Sequence, residues 1–266
     1  MTGSNGIKHS IAIASGKGGV GKSTVSVNLA VALAQTGAVT GLLDADVYGP
    51  SIPMMTGVHL MPRSDGHKIF PLEAHGVRLM SLGFLMPDGA PTVWRGPLVA
   101  GAVQQLLRDV EWGALDYLLI DLPPGTGDAQ LTLAQSIPLS GAVIVATPQD
   151  VAMQIATKAL AMFRELKVPI LGIIENMSQF VCPHCGSVSP IFRRGGGRKA
   201  SASLGVPFLG EIPLDPLVCQ ASDRGEPIPT MHPHSAVAEA LRGVAENMVQ
   251  RILAEASTGP VIRMGT

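Results

Sequence analysis

The chain has 266 residues, 46% apolar and 15% charged, which excludes a disordered polymer and supplies a core that needs no disulfide staples. Lys and Arg number 19 against 20 Asp and Glu, and a net charge of −1 argues against general attraction to nucleic acid or an anionic membrane. Cys182, Cys185 and Cys219 are too few and too unevenly spaced for a secreted disulfide framework, and the start, MTGSNGIKHS, lacks a signal-like apolar segment, so a cytoplasmic location is expected.

Ile7 to Ala14 reads as an apolar strand, and the spacing predicts a helix over Lys22 to Gln35 and a second strand over Val39 to Leu43. Residues from about 47 to 96 are richer in Pro and Gly and read as an insertion, with short strands at His67 to Phe70 and Val77 to Ser81. A helix over Pro97 to Arg108 precedes a strand over Tyr117 to Ile120, and a helix over Ala129 to Ser136 precedes one over Ala142 to Ala146. The alternation continues with a helix at Val151 to Leu166, a strand at Ile170 to Ile174, a helix at Gly197 to Leu204 and a strand at Phe208 to Ile212. A helix from Ser235 to Glu255 closes the pattern. The expectation is an α/β fold: one doubly wound, mostly parallel sheet whose apolar strands are covered by helices on both faces. Residues 1–256 are expected to form one domain, with a cysteine-bearing loop at about 178–194 and a flexible tail at 257–266.

The segment Gly16-Lys17-Gly18-Gly19-Val20-Gly21-Lys22-Ser23-Thr24 follows the first strand and opens a helix, the context a phosphate-binding loop requires. Its glycines let backbone N–H groups turn inward, and the helix N-terminus adds partial positive charge. Lys22 is placed for the β- and γ-phosphates and the Ser23 hydroxyl for Mg²⁺. Asp44, Asp46 and Asp121 sit at the carboxyl ends of strands, where open α/β sheets bind ligands. A P-loop NTPase fold is therefore expected.

Lys17 is a second lysine, at the start of the loop. With it the sequence resembles the deviant Walker A class of ATPases, and the resemblance implies that Lys17 crosses a dimer interface to the partner's nucleotide. It further implies that Asp121 holds Mg²⁺ through water, that Asp44 assists in that outer shell, and that Asp46 orients the attacking water. Pro123-Pro124-Gly125-Thr126-Gly127 is similar to the second switch of that class, in which the Gly125 N–H meets the γ-phosphate. Asp44 and Asp46 also suit turns or helix caps, and Asp128 suits the start of a helix. Asn176, Pro213 and Asp215 match positions lining the base and ribose, although Asn and Pro-Asp are common turn chemistry too.

Cys182-Pro183-His184-Cys185-Gly186 is a lone CxxC, and by itself it suits half a zinc knuckle, a redox pair or half a cluster site. Its Pro- and Gly-rich surroundings lack the helix a thioredoxin-type pair would open. A zinc site within one chain would need ligands from Cys219, His184, His232 or His234. GKGGVGKST, LLDADVYGPSIP, IDLPPGTGD, Glu175-Asn176-Met177-Ser178, CPHCG and GEIPLD together resemble the Mrp/ApbC family of iron–sulfur cluster carrier ATPases, from about Ile7 to Pro227. That resemblance implies ATP and Mg²⁺ as ligands and a [4Fe–4S] cluster held by Cys182 and Cys185 of two subunits. It also implies a homodimer that takes a cluster from a donor and serves apo iron–sulfur proteins, with no nucleic-acid or membrane partner. A MinD- or ParA-like positioning switch and an ATPase dimer with a structural zinc are the alternatives. Where many relatives read Phe-Gly-x-Gly-Gly, Phe192 is here followed by Arg193-Arg194, which either offset thiolate charge or are solvated. Cys219 is read as a small buried hydrophobe on a helix.

Overall fold

A computed structural model describes residues 6–46, 49–85, 96–182 and 184–257. Val47, Tyr48, Pro183 and the tail expected to be flexible, from residue 258 onward, lie outside the described residues. So does residue 86–95 of the insertion.

The parallel strands are β1 (Ile7–Ala14), β2 (Thr40–Asp44), β4 (Val77–Ser81), β5 (Leu115–Asp121), β6 (Gly141–Ala146), β7 (Ile170–Val181) and β9 (Phe208–Leu214). Two short antiparallel strands, β3 (Leu72–Ala74) against β4 and β8 (Val188–Ser189) against β7, complete the described sheet. Its order is β3-β4-β2-β5-β1-β6-β7-β8, with β9 also on β7. β2 and β6 are buried at every residue, which is why they read as unbroken apolar runs. The longer helices are α1 (Lys22–Gln35), α3 (Gly96–Asp109), α4 (Asp128–Ser136), α5 (Asp150–Glu165), α6 (Gly196–Leu204), α7 (Pro216–Arg224) and α9 (Ala236–Ser257), with single turns α2 (Ile52–Met55) and α8 (Ile228–Met231). The molecule has a mostly parallel central sheet flanked by helices, the P-loop NTPase fold.

Helix α1 is buried over most of its length and packs against α2, α8 and α9. Buried all round, it has no polar face, and its polar residues are bonded internally. Asn28 donates to the Thr24 carbonyl at 2.8 Å and accepts from the Ile228 N–H at 2.8 Å. Among the described residues no helix is long and apolar enough to cross a membrane.

Three expectations need correction. The strand expected at His67 to Phe70 is absent as such: Ile69 makes isolated bridges to Ser64 and Val110, and the regular strand is Leu72–Ala74. The Asp65 carboxylate accepts from the His67 and Lys68 N–H groups, which commits that stretch to a turn. β7 does not stop at Ile174 but runs to Val181, so the loop expected from 178 shrinks to a hairpin tip between β7 and β8. Finally, α2, α7 and α8 interrupt regions given no helix or only a hint of one. All three carry Pro in their first turn, and Asp215 caps α7 by accepting from Leu217 N–H at 2.9 Å.

Candidate functional site

The loop between β1 and α1 places its glycines by backbone need. Gly19 and Gly21 have φ of 78° and 80°, and Gly21 is the left-handed N-cap of α1. A Cβ on Gly18 or Gly19 would meet nothing within 4 Å, so both face an open cradle, whereas one on Gly21 would collide with the Asn176 amide. That amide donates to the Val20 carbonyl at 2.8 Å and fixes the loop from outside.

The strand ends bring Lys22, Ser23, Asp44, Asp46 and Asp121 together. Lys22 Nζ is 2.7 Å from Asp121 Oδ2 and 3.7 Å from Asp46 Oδ2. The Ser23 hydroxyl donates to Asp121 Oδ2 at 2.6 Å, and that of Ser26 to Asp121 Oδ1 at 2.6 Å. Asp44 lies beside Asp121 in the β2–β5 register, is 1% exposed, and accepts from the Asp46 N–H and the Ser81 hydroxyl. Burial first, and then the Asp121 charge, push its carboxyl up to about 8, against the opposing pull of Lys22. One hydroxyl and two carboxylates around a lysine form an all-oxygen donor set, which fits Mg²⁺.

Two neighbouring hollows run from this cluster. The first, about 180 Å³, is lined by Lys17, Gly18, Lys22, Ser23 and Asp46. The second, about 310 Å³, shares Gly21, Thr24 and Met55 with it and continues past Asn176, Pro213 and Asp215. A hollow with two lysines, a serine and an aspartate in its wall, beside a larger, mostly apolar one, suits a phosphate chain and a base. The larger open groove beside Leu60, Phe70 and Arg78 contains no residue of the loop.

Other expected residues have settled partners. Lys17 Nζ is 3.2 Å from Gln149 Oε1. The Gly125 N–H, expected to meet a γ-phosphate, donates to the Ser15 carbonyl at 3.0 Å, so it must leave that carbonyl to act as a switch. Asp215 is both a wall of the second hollow and a helix cap, combining the two readings its sequence allowed. The Asp128 backbone opens α4.

Cys182 and Cys185 occupy the hairpin tip, where the Cys182 N–H donates to the Ser187 carbonyl and the Gly186 N–H to the Cys182 carbonyl, both at 2.9 Å. Hydrogen bonding with the Ser187 hydroxyl and backbone, then with Cys182, holds the exposed Cys185 thiol below its ordinary value. Val181, Val188 and Ile191 are exposed around the tip. Cys219 corrects an expectation: it is exposed, lines the second hollow, and has Asp223 Oδ2 3.8 Å from its sulfur. A nine-residue helix packed on one face cannot bury every small residue, and position 219 falls on its open side. Among the described residues no three His, Cys, Asp or Glu side chains are grouped to hold a metal ion. Arg194 pairs with Glu211 at 3.1 Å.

Sequence reasoning missed Gln149, Ser26 and Ser81, polar residues that orient charged ones. Ser26 had one legible sign, its place one turn after Lys22 on the same helix.

A family model described as the NUBPL iron-transfer P-loop NTPase, of the ParA type, matches residues 6–249. The chain belongs to this family. It is 53% identical over 249 residues to an iron-sulfur cluster carrier protein of Deinococcus radiodurans, covering 93% of this chain and 71% of that one. Among solved structures it is similar to a nucleotide-binding protein from Archaeoglobus fulgidus in complex with ADP, at 42% identity and a TM-score of 0.74, over 82% of this chain and 87% of that one. A cell division ATPase MinD of Pyrococcus furiosus, at 24% identity and a TM-score of 0.68 over 91% and 98% of the two chains, shares the fold. The likeness thus extends beyond the phosphate loop to nearly the whole chain of this iron-transfer family.

Proposed function

We propose that the protein binds and hydrolyses ATP and carries a [4Fe–4S] cluster between two copies of itself, delivering it from a donor to apo iron–sulfur proteins. The observation that carries this reading is the Cys182/Cys185 pair at the hairpin tip, the first half-buried and the second exposed, which has no further metal-ligating side chains grouped with it among the described residues. Four thiolates ordinarily hold such a cluster, so a second copy of the same hairpin supplies the other two across a two-fold axis. Membership of an iron-transfer family supports a cluster as cargo over a structural zinc. Free thiols of this kind belong in a reducing compartment, the cytoplasm.

At the nucleotide end, the backbone of Gly18, Gly19, Val20, Gly21 and Thr24 receives the phosphates, with Lys22 on the β- and γ-oxygens. Ser23 would hold Mg²⁺ directly and Asp121 through water; when bound, the ion offsets phosphate charge. Asp46 orients the attacking water, Asp44 supports Asp121, and Gly125 moves from Ser15 to the γ-phosphate. Asn176, Pro213 and Asp215 line the base end, and Lys17 acts on the partner's nucleotide. The test is anaerobic reconstitution with iron and sulfide, followed by transfer to an apo-acceptor with and without ATP. Iron and sulfide bound in equal amounts and transferred support the reading; zinc alone, or no metal, overturns it.

A further inference from the structure

Halfway along β7, Met177 has φ of 57°. The other described non-glycine residues with positive φ, His75, Lys167 and Arg193, lie outside the regular strands. A left-handed conformation is strained for an L-residue with a side chain, so its surroundings must hold it there. They are asymmetric. On the inner side Asn176 is tied to the Val20 carbonyl of the phosphate loop, and the Met177 side chain lines the base end of the cleft and faces Gly21. On the outer side Ser178 bonds to the Ile212 carbonyl, Phe180 and Val181 pair with β8, and Cys182 follows at once. The register between β7 and β9 slips between Asn176 and Phe180, and within that slip the Gln179 Oε1 atom is buried without a protein hydrogen-bond partner. The middle of β7 is therefore a bulge under local constraint, with the nucleotide cleft on one side and the cysteine hairpin on the other.

We propose that Met177 is a positioning residue joining the two sites: a base seated against its side chain resets its backbone and re-aims the outer half of β7, with Cys182 and Cys185. This rests on the nucleotide reading above. Five residue steps of near-extended chain, about 17 Å, lead from Met177 to Cys182, so a small rotation at the bulge becomes a larger displacement at the hairpin tip. Nucleotide occupancy thereby sets how the thiols are presented, without touching them.

The test uses the full chain, cluster-free and reduced, at a concentration where it is monomeric. Alkylation of each cysteine by iodoacetamide is followed by peptide mass spectrometry, without nucleotide and with saturating Mg·ADP. Cys219, on the wall of the cleft, reports occupancy by its protection. In the native chain ADP should change the alkylation rate of Cys182 and Cys185 by about fivefold or more, the low end of ordinary coupling between sites. Met177→Gly frees the backbone, and Met177→Asn keeps the left-handed turn but withdraws the side chain from the cleft. In both, with ADP raised until Cys219 is fully protected to offset the affinity lost with the side chain, the ADP effect on the pair should shrink towards one. Protection of Cys219 with no change at the pair in the native chain, or an unchanged effect in both variants, overturns the coupling and leaves the nucleotide reading standing. Failure of ADP to bind or to protect Cys219 overturns both.

Discussion

The ammonium of Lys22 lies 2.7 Å from the Asp121 carboxylate, with the lysine 6% and the aspartate 0% exposed. The loop lysine is thus already neutralised inside the protein, and this contact must open before it reaches a phosphate. Removing one partner of such a pair leaves a buried charge, at a cost of about 3–5 kcal/mol in fully buried cases. Here the Ser23 and Ser26 hydroxyls still hold Asp121, which places the loss near the lower end.

Lys22→Ala should accordingly abolish ADP binding by calorimetry and also lower the denaturation midpoint of the nucleotide-free protein. Adding Asp121→Asn should recover part of the stability and none of the binding. Equal stability of the single and double variants would mean that the Asp121 charge left unpaired costs the fold nothing.

Asp44 predicts a pH dependence. Its carboxyl is pushed up to about 8 from 3.8, so the folded chain keeps a proton that the unfolded chain releases. The stability it contributes is present in acid and is lost as pH rises from about 4 to about 8, by at most roughly 1.4 kcal/mol per pH unit. Relative to Asp44→Asn, the native protein should therefore lose stability between about pH 5 and pH 8, then run parallel to it. Parallel urea midpoints across the whole range would contradict this.

Lys17→Ala should leave ADP affinity unchanged, because Lys17 meets Gln149 and not the acidic cluster, yet reduce ATP turnover by about tenfold or more if it stabilises charge on the partner's nucleotide. Mixing it with Asp46→Ala should give turnover that depends on the mixing ratio. Strictly additive rates would place the action of Lys17 within its own chain.

Reconstituted protein should hold about four irons per dimer. Either Cys182→Ala or Cys185→Ala should lose the cluster and its visible absorbance, while Cys219→Ala keeps it, since Cys219 lies on α7 against the base hollow. Full iron in a monomer by light scattering would remove the second copy from the ligand set.

The phosphate loop was legible because its chemistry requires consecutive residues. Glycines that turn, a lysine and a hydroxyl cannot be dispersed and still meet one phosphate chain. The strands around it were legible because burial on both faces removes polar residues from them. β7 beyond Ile174 was not: Glu175, Asn176 and Ser178 read as a turn, yet they are buried in a strand because helix α6, the phosphate loop and the Ile212 carbonyl satisfy them. Such partners are distant in sequence and leave no periodic trace. For Asp215, the helix start was written in Asp215-Pro216, and the nucleotide reading obscured it.

Among the described residues, a left-handed glycine caps the start of a helix twice. Gly195 opens α6 with φ of 78°, much as Gly21 opens α1 with φ of 80°, and Arg198 and Lys199 lie in its first turn where α1 has Lys22. At that second entry the Glu175 carboxylate accepts from the Gly195 and Gly197 N–H groups. Its neighbour Asn176 reaches the opposite way, to the first entry. Two consecutive residues of one strand thus divide the work: one supplies a permanent internal counter-ion, and the other braces a seat that stays open to an exchangeable one. A chain with two look-alike cradles consequently offers an incoming polyphosphate a single address.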